Sequence, residues 1–170
     1  MERNIRLRRV GLLCCAFSQN SAYYRAGWIN KNTTLAKHQF WIVVQNNFLD
    51  MCVIEWMKLF GSYNAHHWRR IVIEDPEAFK TNMLLYCNLS SDDYEQYHKK
   101  MKSYRDQFVA HLDSELTMHI PDLTNAIKAT EYYYEYIYSE LPNTFKVDFP
   151  SNIIDFHNTC LLEAKEHFGK

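Results

Sequence analysis

Arg105, Asp106 and His111 are the residues of this chain whose types and spacing suit chemistry. They lie in Tyr104-Arg105-Asp106-Gln107-Phe108-Val109-Ala110-His111-Leu112-Asp113. Arginine carries a permanent charge and a planar fork that fits two phosphate oxygens. Histidine serves as base or acid near neutral pH, because its reference pKa is about 6.5. Cutting RNA without a metal requires a base for the 2′-hydroxyl proton, an acid for the leaving oxygen, and a cation for the charge building on phosphorus. Arg105 offers the cation and His111 the proton carrier. Asp106 would orient a catalytic group or pair with a nearby lysine. Lys99, Lys100 and Lys102, one to two turns earlier, would hold an RNA backbone.

These residues need a helix to carry them. Ser90-Ser91-Asp92-Asp93 supplies hydroxyl and carboxylate groups that cap backbone donors, so a helix is expected from there through Tyr94, Tyr97, Met101 and Phe108 to Leu112 or beyond. With Met101 at zero and about 100° per residue, Phe108 and Leu112 fall within about 20°, Arg105 near +40° and His111 near −80°. Arg105 and His111 straddle the apolar stripe, about 120° and about 9 Å apart, so one uninterrupted α-helix does not aim both at one atom. A second copy related by a two-fold axis would bring a converging set together. The alternative is that Arg105 runs along the stripe to solvent while His111 is a hydrogen-bonded core residue.

The rest of the chain also reads as helix. Val10, Leu13, Cys14, Phe17, Tyr24 and Trp28 recur at helical spacing, predicting a helix over Asn4 to Trp28 that Gly27 and Asn30-Lys31-Asn32 end. The stripe runs through the site where a secretory signal, imitated by the basic start and apolar Val10 to Phe17, would be cut. A second helix is expected over Thr33 to Phe60, with Phe40, Trp41, Val44, Phe48, Met51, Cys52, Glu55 and Leu59 on helical spacing and Gly61 as its stop. Glu55 and Lys58 read as a surface ion pair. Gly61 to Arg70 reads as a loop whose adjacent His66 and His67 have no ligand frame around them, so no metal is expected.

Asp75 and Pro76 begin a shorter helix to about Asn88, as N-cap and first helical residue. Pro121-Asp122 begins another, to about Leu141, with Leu123, Ala126, Ile127, Thr130, Tyr134, Ile137 and Leu141 as its stripe. Tyr132, Tyr133, Tyr134, Tyr136 and Tyr138 spread around that helix, so some rings must face solvent or a partner, with a protein interface favoured over base stacking. A last helix follows Pro150-Ser151, with Ile154, Leu161, Ala164 and Phe168 inward.

The bulk properties agree with one all-α domain over residues 1–170. The chain has 170 residues, 47% of them apolar, and only 4 Gly and 4 Pro, which argues against a loop-rich sandwich or a disordered chain. A net charge of -1 gives no overall basic field, so any nucleic-acid site must be local. Five scattered cysteines without a CxxC read as reduced thiols of a cytoplasmic protein. No apolar run approaches the roughly 20 residues of a membrane span.

The Tyr104-to-Asp113 segment, on an all-helical chain of this length, resembles the HEPN superfamily, whose members carry an arginine followed after four to six residues by a histidine. Its Arg-Asp start and Ala-His-Leu-Asp finish are similar to a branch found among abortive-infection proteins of phage defence. The stretch Glu55-Trp56-Met57-Lys58-Leu59-Phe60-Gly61 also resembles that branch. The resemblance implies an antiparallel helical bundle of HEPN-like topology, a homodimer with paired motifs facing across a cleft, and metal-independent endoribonuclease activity without a cofactor. It implies Arg105 and His111 as the catalytic pair, with Asp106 at the polar position where many members have asparagine. RNA and a separate antitoxin or effector protein are the implied partners, in a toxin or phage-defence setting. Other members bind RNA or proteins without cutting, so a non-catalytic helical module is the alternative expectation.

Overall fold

A computed structural model describes residues 2–30, 33–61, 65–110 and 119–168. The fold is an all-α helical bundle. Its helices are α1 (Glu2–Ala26), α2 (Gln39–Trp56), α3 (Trp68–Ile71), α4 (Pro76–Cys87), α5 (Ser91–Tyr104), α6 (Thr124–Glu140), α7 (Asn143–Lys146) and α8 (Ile153–Phe168). Two π-helical turns, Met57–Gly61 and Arg105–Ala110, continue α2 and α5. A small antiparallel pairing of β1 (Trp28–Asn30) with β2 (Thr33–Thr34) is the sheet among the described residues.

α1 is the hub, packing against α2, α6 and α8. Its 25 residues span about 38 Å at 1.5 Å per residue. α2 runs antiparallel to it, since Asn20 meets Glu55 and Tyr23 meets Phe48. α6 is also antiparallel, with Arg3 bonded to Glu140 at 2.9 Å and Tyr24 near Asp122. α8 runs parallel to α1, with His157 at Ser18 and Ala164 beside Ala26. Gly11 is required by close approach on this face, since a Cβ there would stand 2.8 Å from the Phe149 ring. α4 packs on α6 through Phe79, which meets Tyr132, Tyr133 and Tyr136 edgewise or tilted.

Local signals explain most boundaries. Asp75 accepts from the Ala78 amide, and Asn88 ends α4 in the left-handed conformation. Ser90 and Asp93 form a reciprocal capping box at the start of α5. Asp122 accepts from the Thr124 amide at 2.8 Å, which starts α6 three residues after Pro121.

Several expectations are corrected. The first helix stops at Ala26, and Trp28 enters the hairpin, where the Thr34 hydroxyl lies 2.9 Å from the Gly27 carbonyl and from Gln45 Oε1. These bonds take the chain through 33–38 to α2, which therefore starts at Gln39 and not Thr33. Phe40 and Met51 are exposed although they fall on helical spacing with the buried Cys52 and Leu59. α2 is apolar over more of its circumference than it buries. In α8, Ala164 and Phe168 turn inward as expected, but Ile153 and Cys160 are buried in place of the exposed Ile154 and the half-buried Leu161. Glu55 is not a surface residue. It is only 4% exposed, and both its carboxylate oxygens accept from Asn20 Nδ2, at 3.2 and 3.0 Å.

Burial pushes the Glu55 pKa up, and the Asn20 amide opposes that shift. Asn20→Ala removes the amide and should cost about 1–3 kcal/mol of unfolding free energy. A raised carboxylate pKa favours the protonated form in the folded state, so the loss should be larger at about pH 8 than at about pH 5, as read by urea denaturation at both.

Candidate functional site

The motif helix is positioned from α2. Tyr94, Tyr97 and Met101 bury one face of α5, with Tyr94 and Tyr97 packing on the Trp56 ring. The Tyr97 hydroxyl donates to the Asp122 carbonyl at 2.8 Å, tying α5 to the start of α6. At the far end of α5, the Tyr104 hydroxyl donates to Asp50 Oδ1 at 2.8 Å. Burial raises the pKa of Asp50 and the Tyr104 bond opposes it. The α2–α5 pair is therefore pinned at both ends.

Arg105 is the first residue of the π turn, and the α-helical wheel no longer describes the chain beyond it. A π turn closes i→i+5 bonds and so rotates less per residue than an α-helix. Phe108 and Val109 still pack against the core, Phe108 through the Tyr104 ring at 5.7 Å. Arg105 is 26% exposed, Asp106 37% and Lys102 56%. Asp106 Oδ1 accepts from Arg105 Nε at 2.7 Å and lies 2.5 Å from Nη2. Its other oxygen meets Lys102 Nζ at 2.6 Å. Hydrogen bonding from Lys102, aided by Arg105, holds the Asp106 carboxyl below the usual range. Asp106 thus pairs with a lysine, as one of its two expected roles required, and with the arginine as well.

Of the expected RNA-holding lysines, Lys99, Lys100 and Lys102 are all exposed. Lys99 lies about 60° from Lys102 around α5, on the Asp106 side, whereas Lys100 lies about 160° away on the other flank. His111 lies outside the described residues, as do Leu112 and Asp113.

Sequence reasoning missed His98. It precedes Arg105 by seven residues, two turns along the same side of α5, a spacing the sequence displays. Its ring sits 5.7 Å from that of Trp56. Burial lowers its pKa; the Phe60 and Gly61 carbonyls oppose the shift, and the Arg105 and Lys102 charges add to it. The Phe60 carbonyl also meets His67 Nε2 at 3.2 Å. His67 Nδ1 accepts from the Arg69 amide, capping α3, so Nε2 carries the proton and the ring is neutral. The adjacent histidines of the loop therefore include a structural cap, and no group of three metal-ligating side chains occurs among the described residues.

The tyrosine helix splits by depth. Tyr133 and Tyr134 are buried, while Tyr132, Tyr136 and Tyr138 are partly exposed. Tyr132 pairs with the exposed Tyr86 at 5.6 Å. A separate cleft of about 240 Å³ lies between the start of α1 and α3, lined by Arg3, Arg6, Leu7, Arg70 and Ile71 among others. Arg3 and Arg6 are each engaged by a carboxylate, from Glu140 and Glu2. No described helix is long and apolar enough to cross a membrane.

Comparison of the chain with protein-family models, with curated proteins and with solved structures finds no match in any of the three.

Tyr104→Phe should leave Asp50 without its donor and lower unfolding free energy by about 1–2 kcal/mol in urea titration at neutral pH. His67 supplies a pH test. Burial lowers its pKa from 6.5 to about 4. The unfolded chain takes up that proton first, so stability should fall as pH drops from about 6.5 toward about 4. The slope across that window should be shallower in His67→Gln, measured by thermal melts in steps of pH.

Proposed function

We propose that this chain is a metal-independent endoribonuclease of HEPN type, cytoplasmic, acting as a homodimer in a toxin or phage-defence role. The observation that carries this reading is Arg105. Its side chain is three-quarters buried at the head of a π turn, beside Lys102 and on the side of α5 that holds His98. A partly desolvated arginine stabilises charge on phosphorus more strongly than an exposed one.

In the proposed reaction the 2′-oxygen attacks phosphorus, its proton passes to a base, and the 5′-oxygen of the next nucleotide leaves with a proton from an acid. The products are a 2′,3′-cyclic phosphate and a 5′-hydroxyl. Arg105 neutralises the equatorial oxygens and His111 carries the proton. A composite site formed by two copies meets the need for both a base and an acid. The exposed apolar side chains of α2, with Phe40 at 67% and Met51 within about 20° of it around the helix, support association of this face.

A second reading is favoured by the Tyr86–Tyr132 pair on the α4–α6 surface, which suits a non-catalytic module that binds a partner protein.

The test is cleavage of mixed tRNA and mRNA in excess chelator. Wild type should cut and leave 2′,3′-cyclic phosphate ends. Arg105→Ala and His111→Ala should each lose about 10²–10⁴-fold while keeping their helical circular dichroism. Equal cutting by all three proteins would refute the site assignment, and an inactive wild type would favour the binding module.

A further inference from the structure

The carboxylate of Asp106 stands where a phosphate would be expected. Its Oδ1 occupies the Nε/Nη2 edge of Arg105, at 2.7 and 2.5 Å, and its Oδ2 is 2.6 Å from Lys102 Nζ. That guanidinium edge has two parallel N–H groups, which match two oxygens of an anion. Adjacent residues of a helix do not ordinarily face each other. Here the arginine folds back onto the very next residue, where α5 passes into the π turn. The contact also brings two like charges, Lys102 and Arg105, to one counter-charge. Without it, both cations would be open to an anion from solution.

We propose that Asp106 is an internal competitor for phosphate, a carboxylate latch that holds Arg105 and Lys102 until an RNA phosphate displaces it. The proposal rests on the RNA-cleavage reading above and adds to it how the site is held shut. A carboxylate and a phosphodiester both carry negative charge, so they do not share one guanidinium edge. RNA that takes this edge therefore breaks the Asp106 contacts as it forms its own. The latch is weak enough to open, since Asp106 and Lys102 are both solvent-exposed in part and such pairs are screened. Each partly exposed pair shifts an equilibrium by at most about fivefold, and the two together by at most about 25-fold.

The test is fluorescence-anisotropy binding of a single-stranded 2′-O-methyl oligoribonucleotide, which lacks the attacking hydroxyl and is not cut, to the full chain in chelator. Asp106→Asn keeps the side-chain shape and removes the charge. Glu95→Gln is the control: it removes the same charge from an exposed position of α5. Asp106→Asn should bind about 5- to 20-fold more tightly than wild type, and Glu95→Gln should stay within about twofold. The ¹⁵N shift of Arg105 Nε should move in Asp106→Asn and remain in place in Glu95→Gln.

Equal affinities for Asp106→Asn and Glu95→Gln would overturn the latch while leaving the nuclease reading intact. Weaker binding by Asp106→Asn would also overturn it, and would make the carboxylate a support that aims Arg105. Absence of binding by every variant would overturn the latch and the RNA reading together.

Discussion

Enclosure of α1 is the constraint on which the rest of the bundle depends. A helix covered by α2, α6 and α8 has little face left for solvent, so polar side chains on it need partners from those helices. α2 and α8 supply partners to its side chains and carbonyls. Glu55 of α2 takes both hydrogen bonds from Asn20. His157 of α8 donates from Nδ1 to the Ser18 carbonyl at 3.0 Å. Gln45 reaches the Tyr24 carbonyl at the helix end, and Gly27 leaves room for it, since a Cβ there would lie 2.6 Å from the amide. Apolar contact alone would allow these helices to slide; the polar pairs give each a register, because slipping by a turn would leave a buried group unmet.

From that fixed α2 the candidate site inherits its position. α2 presents Asp50 and Trp56 to α5, so the two helices are held at Tyr104 and along the Trp56 face. Each helix then ends in a π turn. At Met57–Gly61 the wider turn offers the Phe60 carbonyl to His67 and His98. At Arg105–Ala110 it follows directly on the tyrosine that is pinned to Asp50. Arg105 is thus one residue beyond a fixed point, which limits the volume its guanidinium can sweep and favours a partly buried pose.

The elements that could be read from sequence were those with local causes. Asp75-Pro76, Ser90 to Asp93 and Pro121-Asp122 each announce a helix start through capping chemistry that needs no distant partner, and each is found near the expected place. The alternation of buried positions along α6 was equally legible, because Leu123, Ala126, Ile127, Thr130, Tyr134, Ile137 and Leu141 are all buried. What failed depended on contacts across the chain. Glu55 reads as a surface charge until Asn20, 35 residues away, is seen to meet it. Phe40 and Met51 read as core because spacing reports an apolar face and not what covers it. At the site, Arg105, Asp106 and Lys102 were legible as a charged cluster. The π turn that bends the wheel beneath them was not, since helical spacing presumes a constant rotation per residue.

Charge arithmetic shows why any hold on a polyanion must be local. The chain as a whole has a net charge of -1, so no long-range field draws a polyanion in. Here the cations Lys102 and Arg105 meet the anion Asp106, while burial, aided by those cations, lowers the pKa of His98 on the same side. One copy therefore offers a surplus of about one positive charge within a few ångströms, enough to hold one phosphodiester but weak against a transition state that carries more negative charge. Lys99 adds to this flank, while Lys100 points about 160° away from Lys102 and contributes little to it. In the proposed reaction two copies would double the surplus where their motifs meet, and the second copy's proton carrier would stand opposite the first. Under that proposal a dimer would answer both the charge and the two proton transfers, each of which exceeds what one copy of the motif provides.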